Sequence, residues 1–169
     1  MLMIAAIAGL IVLVDQIIKQ YVINTMDLGE RIVLIPGVLR LAYVQNTGMV
    51  FGFLANHSWV PMVLVPLVML GLLFIIIRNW FPDRLCQIAL AFILGGAIGN
   101  YIDRLRHGFV VDMFEPIFVQ FAVFNLADVF IVCGGILFIL AHVRLEWRKK
   151  QNVQEQASDD DGEESGGLS

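Results

Sequence analysis

Gly95–Arg104 reads GGAIGNYIDR, His107–Pro116 reads HGFVVDMFEP, and Phe124–Asp128 reads FNLAD. Three aspartates, Asp103, Asp112 and Asp128, fall here with Asn100, Asn125 and Arg104. The surrounding segments are oily enough for a membrane. An ionisable group in hydrocarbon costs roughly 3 kcal/mol on insertion scales. Several such groups at the ends of two neighbouring apolar segments are hard to explain as packing, so they are expected to face one another and do chemistry.

The whole chain has the composition of an integral membrane protein. Its 169 residues are 59% hydrophobic and 15% charged, with a mean hydropathy of +0.80; a soluble domain would be nearer ~25% charged. Four spans are expected. Met1 to about Tyr21 is a retained first span, since no basic residue precedes it and no small-x-small cleavage site follows. Trp59–Ile77 carries no charge in 19 residues and is flanked by Trp59 and Trp80 as interface aromatics. Leu85–Ile102 is the third span and Phe121–Val143 the fourth. Gly95 and Gly99 share a face of the third, which allows close helix contact.

Between the first two spans, charges return at Asp27, Glu30, Arg31 and Arg40, and β-branched runs flank Pro36-Gly37. Pro then Gly suits a type II turn. About 27–54 therefore reads as a small extended or hairpin subdomain outside the hydrocarbon. It contains the turn signature Asn46-Thr47-Gly48. The tail, SDDDGEE at 158–164 and then Gly and Ser, cannot bury apolar surface. The division expected is a membrane domain over 1–150 and a disordered acidic tail over 151–169.

The polar residues allow more than one reading. Asp15 and Lys19 are spaced i, i+4 and can pair at the end of the first span. Asn46 is a turn residue or a side chain aimed at a substrate backbone. Asn125 and Asp128, at i and i+3, have the spacing of a capping box. Asn100, Asp103 and Arg104 project from one helix end, as a packed ion pair or as part of a site. Cys86 and Cys133 have no disulfide or zinc spacing and read as inert buried thiols. His57, His107 and His142 form no ligand set, and no nucleic-acid surface is visible. No metal or cofactor is expected.

Orientation rests on Lys and Arg. With both termini inside, the inner side holds Arg78, Arg84, Arg144, Arg148, Lys149 and Lys150, against Lys19, Arg31, Arg40, Arg104 and Arg106 outside. The cluster after the last span favours a cytoplasmic C-terminus. Four spans then place the N-terminus inside, and the hairpin, Asp112 and Asp128 at the outer face.

Two carboxylates that share a site cannot easily both ionise, so they hold one proton between them. Such a pair can activate a water and protonate a leaving amine. Asp15-Gln16-x-x-Lys19, Asn46-Thr47-Gly48, Gly95-Gly96-Ala97-Ile98-Gly99-Asn100-x-x-Asp103-Arg104, Val110-Val111-Asp112 and Phe124-Asn125-x-Ala127-Asp128 together resemble the lipoprotein signal peptidase (signal peptidase II) family of bacterial aspartic endopeptidases. The resemblance covers Met1 to about Arg148. It implies an all-α membrane protein of four transmembrane helices with a small extracytoplasmic β-hairpin or cradle, in the bacterial cytoplasmic (inner) membrane. It implies Asp112 and Asp128 as the catalytic dyad, and Asn46, Asn100, Arg104 and Asn125 lining the substrate site. Asp15, Lys19, Gly48 and Asp103 would support them. It further implies cleavage of diacylglyceryl-modified prolipoproteins just before the lipidated cysteine, with membrane lipids as neighbours and globomycin as inhibitor. Gln45 and Met49-Val50 depart from the family pattern and bear on substrate preference. A proton-coupled transporter shares intramembrane carboxylates but would show inverted repeats. A Mg²⁺ enzyme holding its metal with aspartates would be sensitive to chelators.

Overall fold

The computed structural model describes the backbone of residues 1–48 and 59–166, and the side chains of 1–48 and 60–152. The apolar run Met49–Leu54, the end of the expected hairpin subdomain, and His57 lie outside these residues.

The chain order is α1 (Leu2–Thr25), β1 (Arg31–Ile35), β2 (Leu39–Asn46), α2 (Trp59–Ile77), α3 (Arg84–His107), β3 (Val110–Pro116) and α4 (Leu126–Gly166). Among the described residues, four helices are long and apolar enough to cross a membrane. Large side chains such as Leu10, Leu13, Leu67, Leu70, Ile139 and Leu140 are exposed along them. Apolar surface on this scale needs lipid rather than water around it.

α3 is the centre of the bundle, packing on α1, α2 and α4. Its glycines explain how. A Cβ on Gly95 would meet the Ala8 carbonyl and Ile11 of α1 at 3.0 Å, and one on Gly96 would run into the Ala127 carbonyl and Ile131 of α4. The expected close contact is therefore two contacts, one on each side of α3. Asp83 caps the helix start by accepting from Leu85 N (3.0 Å) and Cys86 N (3.3 Å). Gly108, at φ 78°, ends it in the left-handed region that suits glycine.

The extended subdomain is larger than the sequence suggests. β1 and β2 form the expected hairpin, with Val38 N donating to the Ile35 carbonyl (3.0 Å) across Pro36-Gly37 and Gly37 at φ 74°. β3 then adds as a third antiparallel strand in the order β1-β2-β3. Arg31 and Arg40 both reach Glu115, at 3.0 Å each, which ties the hairpin to β3.

Some features differ from the sequence reading. α4 starts at Leu126 and not Phe121, because Phe124 pairs with Phe114 as an isolated bridge. Cys133 is exposed on α4, and only Cys86 is buried, since the outward face of a span needs no polar side chains. The helix of α4 also continues to Gly166, through the stretch where composition suggests disorder. Extending an existing helix avoids the cost of nucleating a new one.

Candidate active site

Four elements bring their polar residues to one end of the bundle. α1 contributes Asp15 and Lys19, and α3 contributes Asn100, Asp103 and Arg104. β3 contributes Asp112, and the entry to α4 contributes Asn125 and Asp128. The register β2–β3 pairs Asn46 with Val110 and Val44 with Asp112. Alternation along a strand therefore puts Asn46 and Asp112 on the same face.

Asp112 is 2% exposed. Its two oxygens accept separately, Oδ2 from Asn46 Nδ2 (2.8 Å) and Oδ1 from Asn125 Nδ2 (2.7 Å). Burial pushes its carboxyl up to about 6; the Asn46 and Asn125 amides oppose this, the Asp128 charge adds to it, and Lys19 opposes it. Asp128 is half-buried in the first turn of α4. Its Oδ1 accepts from Asn100 Nδ2 (2.7 Å) and its Oδ2 from Asn125 N (3.2 Å).

Asn125 joins the two carboxylates. It is fully buried, its Nδ2 donates to Asp112 and to Asn100 Oδ1 (3.0 Å), and its Oδ1 accepts from Asp128 N (3.0 Å). The capping box expected from spacing is present, and the same two residues belong to the buried polar cluster. A helix cap and a carboxylate cluster coincide because the first turn of a helix already offers N–H groups to an anion.

Asn46 likewise serves the turn and reaches Asp112. Its Oδ1 accepts from Gly48 N (2.9 Å), with Gly48 at φ 102° where a side chain would be strained. Its Nδ2 goes to Asp112. Asp103 is turned toward α1 and does not meet Asp112. It takes Lys19 (2.9 Å), Gln16 (2.8 Å) and Val111 N (3.1 Å). Gln16 stands in the sequence motif without an assigned role; an amide inside an apolar helix was its only signal. Arg104 donates to the Asn100 carbonyl (3.3 Å).

Asn100, Arg104 and Asp128 form the polar end of a cavity of about 330 Å³. Its walls are apolar: Leu64, Val65, Val68 and Leu72 of α2, with Ile93 and Ala97 of α3 and Ile131 of α4. A chain lying there would meet hydrocarbon along its length and a carboxylate at its end. Among the described residues, no three His, Cys, Asp or Glu side chains gather as a metal cluster.

A family model described as Signal peptidase (SPase) II matches residues 7–144. The chain belongs to the signal peptidase II family. Among its relatives, a lipoprotein signal peptidase of Streptococcus thermophilus is 40% identical over 126 residues, 75% of this chain and 82% of that one. One of Brevibacillus brevis is 39% identical over 134 residues, covering 79% and 90%. One of Lactococcus lactis is 35% identical over 134 residues, covering 77% and 86%. Two solved structures of bacterial membrane enzymes, at 2.3 and 1.9 Å, superpose with TM-scores of 0.78 and 0.76 at 30% identity. The first covers 84% of this chain and 88% of its own, the second 82% and 91%. Signal peptidase II membership makes the chain a protease, and the four apolar helices make it a multi-pass membrane protein.

Proposed function

We propose that this protease is an aspartic endopeptidase that removes signal peptides from diacylglyceryl-modified prolipoproteins. It cuts just N-terminal to the lipidated cysteine. The observation that carries this reading is the Asp112–Asn125–Asp128 bridge, placed where an apolar cavity meets the polar end of the bundle.

Asp128 borders the cavity, so it is the carboxylate that meets the attacking water. It takes the proton as the water oxygen bonds to the scissile carbonyl carbon. Asp112, with its carboxyl pushed up to about 6 by burial, holds the proton of the pair and hydrogen-bonds the developing oxyanion. When the carbon–nitrogen bond breaks, the proton gained by Asp128 passes to the leaving amine. Arg104 and Asn100 face the cavity and bind the substrate backbone. Asn125 has both N–H groups spent inside the protein, so it orients the two carboxylates and does not grip the peptide. Asn46 holds Asp112 from the other side, and its remaining N–H can reach substrate.

The lipid and the signal-peptide helix enter from the bilayer between α2 and α4. Among the described residues, α2 packs against α3 and has no comparable contact with α4. The sheet lies at the outer face of the cytoplasmic membrane, with both termini inside. Globomycin, as a substrate-like inhibitor, occupies the same cavity. The test is incubation of the purified protein with a lipidated prolipoprotein, with and without globomycin. Cleavage before the modified cysteine, blocked by the inhibitor, is expected; an intact substrate would refute the reading.

A further inference from the structure

Lys19 is 2% exposed inside a membrane bundle, and its ammonium spends all three donors. They reach Asp15 Oδ2 (2.8 Å), Asp103 Oδ2 (2.9 Å) and Asn100 Oδ1 (2.8 Å). Each of the two carboxylates has a second task. Asp15 Oδ1 accepts from Ala127 N (3.0 Å), and Asp103 Oδ2 accepts from Val111 N (3.1 Å). Ala127 immediately precedes Asp128, and Val111 immediately precedes Asp112. One ammonium therefore holds two carboxylates, and each of these holds the backbone one residue before a member of the pair.

The third donor governs an amide. Asn100 Oδ1 receives Lys19 Nζ and Asn125 Nδ2, which leaves Asn100 Nδ2 to face Asp128. A flipped Asn100 would set its NH2 against the ammonium. Lys19 thereby also fixes which end of the Asn100 amide Asp128 meets.

Stability does not account for this cluster. Two buried carboxylates against one ammonium are costly to desolvate, and apolar replacements of buried ion pairs are often neutral or stabilising. What apolar residues could not provide is a fixed distance between β3 and the start of α4. Resting on the reading of Asp112 and Asp128 as the dyad, we propose that Lys19 is a positioning residue. With Asp15 and Asp103 as its two arms, it sets the spacing of the dyad carboxylates and the orientation of the Asn100 amide. It touches no substrate. The charged groups around it are Asp15 on α1, Asp103 with Arg104 and Arg106 on α3, Asp112 on β3 and Asp128 on α4.

The test is Lys19→Met, which keeps the apolar stem and removes the ammonium, compared with wild type on a lipidated prolipoprotein across pH. A misplacement near 1 Å costs about 100-fold in rate. The expected result is a fall in kcat of about that size with KM within about threefold, and a pH–rate profile whose limbs move relative to wild type. A merely structural lysine would lower the folded fraction and leave the profile of the surviving enzyme unmoved; that result, or a wild-type kcat, overturns the proposal. If Lys19→Met does not fold, Asp103→Asn decides. It keeps an acceptor for Val111 N but weakens the grip of Lys19, so kcat should fall with KM held and the limbs displaced; wild-type kinetics there overturn the proposal. A wild-type enzyme that fails to cleave would instead defeat the functional reading itself.

Discussion

At the scale of single residues, Asp112 carries a signature that can be measured. Its folded carboxyl is pushed up to about 6 from an ordinary 3.8. The protonated form therefore favours the folded state at low pH, and that advantage is lost as pH rises from about 4 through about 6. Above that range its ionisation opposes folding by about 3 kcal/mol. Thermal or chemical unfolding in detergent should show this slope in wild type and lose it in Asp112→Asn. In the enzyme, kcat/KM should fall as pH rises through the upper value of the pair, near that of Asp112. Asn46→Ala removes an N–H that stabilises the carboxylate, so it should move this limb to higher pH. A limb that stays in place would mean that Asn46 serves only the turn at Gly48.

Elements decide how closely these residues approach. Gly96 lets the α3 backbone lie against the Ala127 carbonyl, one residue from Asp128. Gly99 leaves room for Asp15 Oδ2, which a Cβ would meet at 2.6 Å. Gly96→Val should push α3 and α4 apart, cost about 1–3 kcal/mol by overpacking, and lower activity along with the melting midpoint. An unchanged midpoint would show that the helices are not held this close. The spans and the glycine face were legible in the sequence because apolar runs and the GxxxG spacing are local signals. So was the i, i+3 cap of Asn125 and Asp128. β3 was not: its partner β2 lies more than sixty residues away, and Val110-Val111 alone marks no register. Phe121–Asn125 reads as helix in the sequence because its apolar content does not show that Phe124 bonds to Phe114.

The whole molecule shows the same division. Isolated polar residues stand out in an apolar chain, so the sequence alone singles out Asp15, Lys19, Asn100, Asp103, Asp112, Asn125 and Asp128. Their partners could not be, because Asp15 and Asp103 bind backbone N–H groups of Ala127 and Val111, which no side-chain pattern encodes. The acidic end of the chain lies beyond the family match at 7–144, and truncation after Lys150 should leave cleavage intact; a large drop in turnover of the folded protein would give the tail a role. A cysteine introduced at Glu30 should be labelled from the outer face, and labelling only from the cytoplasm would invert the topology.

The dyad itself is tested most directly by Asp112→Asn and Asp128→Asn, each purified, shown to insert and to bind globomycin, and given a lipidated prolipoprotein. Both variants should lose turnover by several orders of magnitude while retaining the inhibitor, and a chelator should leave the wild type unaffected. Substantial cleavage by Asp128→Asn would contradict this, reducing Asp128 to the cap of α4 and leaving Asp112 without its proposed partner.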